Sequence, residues 1–216
     1  MKKKYKVTFL LDKSNLWFEK QLRNFDFKLK NKYTFKISKK LINVKNQDIV
    51  FPLSYTRILH KSFLQKNGLV LIVHPSKLPK DKGFAPLQNQ ILRKNNKIYI
   101  SIIKAVKKVD AGPVFFQDFF KLDGSELLDE IRNIQGLQFL RIIKKFLVKY
   151  PNVTSKKQVG KSNFNKRRYP KDSLLNINQT IKQQFNHLRI NDNNLYPSFF
   201  YYKGQKYILK IFNERK

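Results

Sequence analysis

Residues 69–86 read LVLIVHPSKLPKDKGFAP, and they place a histidine at the end of a buried strand. The apolar run of residues 69–73 is typical of a strand that is covered on both faces of a parallel sheet. Two prolines exclude a helix directly after His74, so the chain continues as a loop until Pro86 begins a helix. Because open α/β sheets bind ligands at the carboxyl ends of their strands, His74 is a candidate functional residue.

A second short motif carries an acidic residue. Residues 109–113 read VDAGP and place Asp110 in a tight Gly-Pro turn between two apolar runs. The pattern HPSxLPxxxGxxP of residues 74–86, followed by DxGP, resembles the folate-dependent formyltransferase family. The resemblance covers residues 69–150. It implies a Rossmann-like sheet and N10-formyltetrahydrofolate as the formyl donor.

Composition bounds the size and location of the protein. At 216 residues, of which 41% are hydrophobic, the chain can form one ordinary domain with a small appendage. It has no cysteine, which excludes a disulfide framework and a thiolate zinc site, and we expect no metal. No apolar run reaches the roughly 20 residues that span a bilayer, and no cleavage site follows the amino-terminal lysines. We therefore expect a cytoplasmic protein without a membrane partner.

The net charge of +32 comes from 46 Lys and Arg against 14 Asp and Glu. Such a charge ordinarily favours a nucleic-acid partner. Here the lysines are scattered through every segment without a long block, and asparagine is abundant too. We interpret the charge as a compositional bias and expect an anionic small substrate rather than nucleic acid.

Strands that alternate with helices predict an α/β fold with a mostly parallel sheet. Strands are predicted at residues 5–11, 33–37, 48–53, 69–73, 98–103 and 114–120. Between them, helices are predicted around residues 16–25, 62–66 and 87–92. A longer helix is predicted from a cap at Asp123, paired with Glu126, to about Lys149.

The chain divides into three parts in this interpretation. Residues 1–151 form the catalytic domain, 152–172 an irregular connection that leaves the sheet domain, and 173–216 a helix with a closing hairpin. Consecutive aromatics at residues 199–202 put large rings on both faces of the hairpin, and one face needs a cover. We expect a homodimer whose interface includes Phe199, Tyr201 and Tyr207, or the alternate residues on the opposite face of the hairpin.

The candidate chemistry follows from two side chains. Formyl transfer to an amine requires stabilisation of an anionic tetrahedral intermediate and removal of a proton from the attacking ammonium. His74 can donate to the anion, and Asp110 can hold the imidazolium and relay the proton through water. We therefore predict His74 and Asp110 as the catalytic residues.

One position departs from the family pattern. The family carries an asparagine two residues before the histidine, where this chain has Ile72. Loss of one such donor costs about 3 kcal/mol in the transition state. Either Asn67, Asn89 or a backbone N–H replaces it, or the enzyme is slower, or the chain is a non-catalytic homologue that acts as a binding protein. The matching loop residues favour retained activity.

The resemblance also suggests the substrate. Family members that act on tRNA carry a further barrel domain, and purine-biosynthetic members, the phosphoribosyl-glycinamide formyltransferases, have a Gly-rich turn where this chain has residues 12–15, DKSN. The nucleotide-linked amino-sugar N-formyltransferases are similar in more segments. These segments are residues 124–130, Arg168, Pro170, residues 172–173, 185–186, Arg189, residues 196–197 and the hairpin 203–211. A dTDP-linked amino sugar is the favoured substrate.

The resemblance assigns further residues to the two ligands. The predicted cofactor-binding residues are Ser54, Tyr55, Ile72, Leu78 and Gly112. The predicted substrate-binding residues are Ser76, Lys82, Gly83, Arg189 and Tyr196. A sugar nucleotide carries two phosphate charges and a flat base, which call for Arg or Lys and an aromatic ring. Alternatively, Arg189 and Tyr196 hold the tail on the domain.

Overall fold

The fold was taken from a computed structural model that describes residues 4–12 and 16–214. The strands are β1 Tyr5–Leu11, β2 Tyr33–Ser38, β3 Ile49–Leu53, β4 Leu69–His74, β5 Lys82–Gly83, β6 Lys97–Lys104, β7 Val114–Lys121, β8 Phe164–Asn165, β9 Ser198–Tyr202 and β10 Gln205–Leu209. The helices are α1 Leu16–Asn24, α2 Lys61–Gln65, α3 Pro86–Leu92, α4 Leu128–Lys149 and α5 Ile181–Arg189. None of the helices in these ranges is long and apolar enough to cross a membrane.

Within the described ranges, one sheet contains six strands in the order β2-β1-β3-β4-β6-β7. The strands β2, β1, β3 and β4 are parallel to one another. Strand β6 runs antiparallel to β4, and β7 runs antiparallel to β6. The α/β fold with a mostly parallel, Rossmann-like sheet is therefore confirmed, together with the closing hairpin. Because β4 lies between β3 and β6, its carboxyl end opens in the middle of the sheet, where His74 pairs with Ser101.

The core explains why β4 is a continuous apolar run. The long helix α4 lies over one face of the sheet, and its residues at spacings of three and four, including Phe139, Ile143 and Phe146, are fully or almost fully buried. A smaller cluster around Leu10 and Phe63 covers the other face near α2. Strands between two such layers lose contact with water on both sides, which favours Val, Ile and Leu at every position.

Helix α4 begins later than the sequence predicted. Asp123 is not its cap, because Gly124 has a φ of +102° and cannot continue into a helix. The predicted partner Glu126 instead closes the preceding turn, where its carboxylate accepts hydrogen bonds from the backbone N–H groups of Asp123 (2.7 Å) and Gly124 (3.0 Å).

The connection of residues 152–172 stays on the sheet domain, so the prediction that it leaves the domain is wrong. Its strand β8 pairs in parallel with β5, inside the loop that follows His74. Lys156 also pairs with Val114 at the start of β7. The polar composition of the segment hid these contacts, because the partners are backbone groups far away in sequence.

The tail ends in the hairpin of β9 and β10. Phe199 is only 8% exposed and pairs with Leu174, so its own protomer covers it and its predicted place in a dimer interface is not supported. Tyr201, Tyr202 and Tyr207 are each about half exposed. These three rings remain available to a partner.

Candidate active site

The histidine and the aspartate of the two sequence motifs meet at the carboxyl end of β4. Nδ1 of His74 lies 3.6 Å from Oδ2 of Asp110, and the two side chains are only 6% and 10% exposed. Nε2 of His74 lies 2.7 Å from the backbone carbonyl oxygen of Asp81. Since the carbonyl is only an acceptor, Nε2 carries the proton in this contact and Nδ1 faces the carboxylate.

Asp110 is positioned by the turn that joins β6 to β7. Its φ of +49° turns the chain sharply, and its Oδ2 accepts a hydrogen bond from the N–H of Gly83 at 2.9 Å. Two residues on, a Cβ at Gly112 would overlap the carbonyl oxygen of Lys104. The DxGP motif therefore needs glycine at this position so that the turn can close against the end of β6.

The loop after His74 is held by hydroxyl and amide side chains. Ser76 is fully buried, and its hydroxyl donates to the carbonyl of Lys80 at 2.7 Å. The hydroxyl of Ser101 donates to the carbonyl of Ser76 at 2.6 Å, and Nε2 of Gln90 donates to that of Pro75 at 2.8 Å. Ser76 therefore shapes the loop, and its burial does not support the predicted substrate contact.

Asp81 is a site residue that the sequence did not reveal. Its carbonyl accepts from His74, while its buried carboxylate accepts from Arg93 (2.8 Å), Asn165 (3.2 Å) and Asn163 (3.3 Å). Its N–H also donates to Oδ1 of Asn163 at 3.0 Å. An acidic residue within the loop of a chain with only 14 acids was the available signal.

Gln158 is a second such residue, and it comes from the connection. Its Nε2 donates to the carbonyl oxygens of Asp110 and Gly112, each at 2.8 Å. Its Oε1 is buried and has no hydrogen-bond partner among the described residues. No local pattern marks this contact, because it joins residues that lie 46 and 48 positions apart in the chain.

The predicted cofactor residues lie along neighbouring strand ends. Ser54 has a φ of +50° directly after β3, and Tyr55 packs on the smaller core cluster. Ile72 is half-buried in β4 opposite Ile103, so no donor stands at that position. Leu78 is buried, and its carbonyl accepts from the amide of a β7 glutamine.

Neither predicted replacement for the missing asparagine is available. Asn67 precedes the amino end of β4, whereas His74 lies at its carboxyl end. The amide of Asn67 donates to the carbonyls of Val44 and Phe63. The amide of Asn89 donates to the carbonyl of Ala85 at 2.9 Å, within the first turn of α3. Of the groups named from the sequence, a backbone N–H remains.

Among the predicted substrate residues, Lys82 and Gly83 form β5 beside the pair of His74 and Asp110, which we call the dyad. Lys82 is largely buried. The purine-biosynthetic family members have a Gly-rich turn at the position of residues 12–15. Three of these residues, Lys13, Ser14 and Asn15, lie outside the described residues. The ring of Tyr196 is partly exposed in the tail, and its carbonyl accepts from the hydroxyl of Ser173.

Arg189 holds the tail on the domain. Its side chain is fully buried and pairs with Glu126 at 3.2 Å. It also donates to Oδ1 of Asn96 at 2.6 Å and of Asn186 at 2.8 Å. This geometry supports the alternative that the sequence left open, and a fully buried guanidinium offers no surface to a substrate phosphate.

His187 lies in α5, the same helix as Arg189. Its Nε2 bonds to the carbonyl of Asp172 at 2.6 Å. Burial lowers the pKa of the imidazole, the positive charge of Arg168 lowers it further, and the contact with Asp172 opposes both.

The arrangement at the dyad is suited to proton transfer. A buried imidazole with a carboxylate at one nitrogen and a backbone oxygen at the other keeps a defined orientation. The carboxylate can stabilise the imidazolium if the ring gains a proton, as in other paired acid and base sites. The pair therefore fits general acid–base chemistry at the strand ends.

A separate groove of about 790 Å³ lies between β7 and α4. Its lining combines Phe116 and Ile142 with the cationic side chains of Arg141, Lys145 and Lys149. None of the predicted site residues lines it. We assign the candidate active site to the dyad rather than to this groove.

Comparison with known proteins identifies relatives of this chain. A methionyl-tRNA formyltransferase of Rickettsia felis is 31% identical over 119 residues, which cover 55% of this chain and 39% of the relative. The chain spans about two fifths of the length of such curated relatives.

Two solved structures have the same fold. A methionyl-tRNA formyltransferase from Clostridium thermocellum superposes with a TM-score of 0.80 at 22% identity, covering 98% of this chain and 94% of that one. A sugar N-formyltransferase from Shewanella sp. gives 0.72 at 16% identity, covering 98% and 99%. The formyl transferase family model matches residues 2–134, more than half of the sequence. The chain therefore belongs to the formyl transferase family.

Proposed function

We propose that the protein transfers a formyl group from N10-formyltetrahydrofolate to the amine of a nucleotide-linked amino-deoxysugar. The observation that carries the transfer is the buried contact of His74 with Asp110 at the carboxyl end of β4. The resemblance of the tail to amino-sugar enzymes supports the acceptor, and a dTDP-linked sugar is favoured. Bound N10-formyltetrahydrofolate supplies the formyl carbon.

His74 stabilises the negative charge that develops on the formyl oxygen when the amine attacks. The proton for this hydrogen bond is on Nε2, which donates to the carbonyl of Asp81 in this structure. Donation to the formyl oxygen therefore requires that this contact be exchanged. Once the exchange has occurred, a donor directed at the formyl oxygen in a buried site contributes about 3 kcal/mol.

Asp110 receives the proton that the attacking ammonium must lose. The acceptor nitrogen loses two protons in all. One would pass to Asp110 and on to water before the nitrogen adds to the formyl carbon, and the other would go to the folate nitrogen when its bond to that carbon breaks. Asp110 is 10% exposed, which leaves room for a water that carries the proton. Its Oδ2 is held by the N–H of Gly83, so the carboxylate stays directed at His74.

The described residues fit a reduced pterin beside the dyad. Oε1 of Gln158 is a buried acceptor without a partner in the described part of the chain, next to the Asp110 turn. A reduced pterin carries N–H and amino donors that match such an acceptor. Ser54, Tyr55, Ile72, Leu78 and Gly112 remain proposed cofactor contacts, and Lys82, Gly83 and Tyr196 proposed substrate contacts.

The alternative acceptor is methionyl-tRNA, because the curated relatives of about 30% identity are methionyl-tRNA formyltransferases. The acceptors differ in the charge that the protein must neutralise. Binding of a polynucleotide weakens steeply as salt rises, whereas binding of a sugar nucleotide depends on salt much less.

The proposal extends to the organisation of the protein. We propose a homodimer in the cytoplasm, with residues 1–151 as the catalytic domain, 152–172 as the connection and 173–216 as the appendage. The half-exposed rings of Tyr202 and Tyr207 on one face of the hairpin support the dimer.

The test combines a substrate screen with the dyad variants. The protein is incubated with the formyl donor and dTDP-, UDP- or GDP-linked amino sugars, or with methionyl-tRNA, and the formylated product is measured. His74→Ala and Asp110→Ala should each lower kcat by about 100-fold or more, and the double variant should be little worse than the worse single one. The exposed His60→Ala is the matched control. Additive losses, or transfer to methionyl-tRNA alone, would overturn the assignment.

A further inference from the structure

The connection of residues 152–172 contacts the turn that carries Asp110 and the loop residue that bonds to His74. Gln158 donates two hydrogen bonds to the turn that carries Asp110. Asn163 bonds to Asp81, whose carbonyl oxygen is the hydrogen-bond partner of His74. Two side chains five residues apart thus hold the backbone of the Asp110 turn and the loop residue that bonds to the imidazole.

The backbone supports these contacts. The carbonyl of Asn163 accepts from the N–H of Lys82 at 3.1 Å, and that of Asn165 accepts from Phe84 at 3.2 Å. The strand pair β5–β8 therefore fixes the loop on both sides of Gly83, the residue that donates to Asp110. The connection therefore supports the loop through backbone hydrogen bonds.

The need for such support follows from the backbone of the two residues. Asp81 and Asp110 both have positive φ, at +58° and +49°, a left-handed conformation that is uncommon for residues other than glycine and that Asp adopts with the support of local hydrogen bonds. Gln158 satisfies the carbonyl of Asp110, and Asn163 satisfies the N–H of Asp81. Without these partners the two turns lose contacts that oppose relaxation toward negative φ.

We propose that Gln158 and Asn163 are positioning residues that hold the side chains of Asp110 and His74 in their relative positions. This inference rests on the proposed function, because the relative positions of the two side chains affect a rate only if the pair performs the chemistry. Displacement of a reacting group by about 1 Å can lower a rate by about 100-fold. Gln158 acts through the Asp110 turn, and Asn163 acts through Asp81.

The kinetic test uses Gln158→Met and Asn163→Ala. Met keeps the length of Gln158 and removes both donors, and Lys157→Ala, at an exposed neighbour, is the matched control. We expect kcat to fall by 10- to 100-fold in the first two variants, and KM for the amino sugar to change less than threefold in both. KM for the folate donor should change less than threefold in Asn163→Ala, whereas Gln158→Met also removes Oε1, the proposed pterin acceptor, and should raise it. An unchanged kcat, or a loss that appears only as KM, overturns the proposal.

A second readout does not depend on activity. The chain has three histidines, so ¹⁵N-resolved imidazole spectra can be assigned by single replacement of each. We expect the tautomer-sensitive ¹⁵N signals of His74 to move in Gln158→Met and Asn163→Ala but not in Lys157→Ala, with the signals of His60 unchanged in all three. An unmoved His74 overturns the positioning role, whereas an inactive wild type whose His74 responds in this way overturns only the proposed function.

Discussion

Replacing Arg189 with methionine should destabilise the protein substantially and distinguishes the two roles considered for this residue. Its guanidinium is fully buried and pairs with Glu126, whose side chain is 6% exposed. If Arg189 held a substrate phosphate instead, the same change would raise KM and leave the free energy of unfolding unchanged.

The magnitude follows from what the substitution leaves behind. Removal of one partner of a buried ion pair costs roughly 3–5 kcal/mol, because the other charge remains buried. Glu126 keeps the backbone N–H groups of Asp123 and Gly124, which places the loss near the lower end, at about 3 kcal/mol. A typical domain has about 5–15 kcal/mol in total, so the variant should still fold.

Urea unfolding measures this loss directly. The protein has one tryptophan, Trp17 in α1, whose ring contacts Phe18 in the core and whose fluorescence reports unfolding. Arg23→Met is the control, since the pair of Arg23 with Glu19 is exposed on the arginine side and should cost less than about 1 kcal/mol. The double variant Arg189→Met/Glu126→Gln should recover much of the stability, because it removes the buried charge.

The reasoning is refuted if Arg189→Met unfolds at the same urea concentration and with the same slope as the wild type. A double variant that is less stable than Arg189→Met alone would also contradict it. In that case the buried pair would not be the contact that holds the tail.

Three further predictions concern other parts of the chain. Ile72→Asn should raise kcat, by up to about 100-fold, if no other donor serves that position; an unchanged kcat shows that one does. Tyr202→Asp with Tyr207→Asp should convert the homodimer into a monomer in sedimentation velocity, whereas Ile42→Asp, at a residue 83% exposed, should not; a monomeric wild type at micromolar concentration contradicts the dimer. Because burial lowers the pKa of His187, the unfolded chain binds more protons below pH about 6.5, and stability should fall as pH falls through that window. His187→Gln should weaken this dependence, and equal dependence in both proteins excludes the effect.

Local patterns in the sequence were sufficient for the elements that build the sheet. The apolar run of β4 and the prolines after it predicted a strand followed by a loop, and both are present. These predictions succeed because burial on both faces and the fixed φ of proline act through neighbouring residues. The family was recognised from the same stretch, since its motif residues lie close together in the loop and turn.

The distance between His74 and Asp110 could be anticipated only from family spacing, and the supports of the pair came from the tertiary structure. Gln158 and Asn163 lie in a segment whose polar composition has no periodicity, so nothing local marked them. Arg189 was equally ambiguous, because the same side chain suits a phosphate or a buried carboxylate.

The sequence by itself determined the strands of the six-stranded sheet and the presence of its helices, because hydrophobic period and turn chemistry depend on near neighbours. Its motif spacing predicted the pair of His74 and Asp110, but it predicted neither β5 and β8 nor the start of α4. Only the tertiary structure decided which polar side chains face the dyad and which hold the tail. Those contacts join residues dozens of positions apart, and their free energy depends on burial that no local pattern contains.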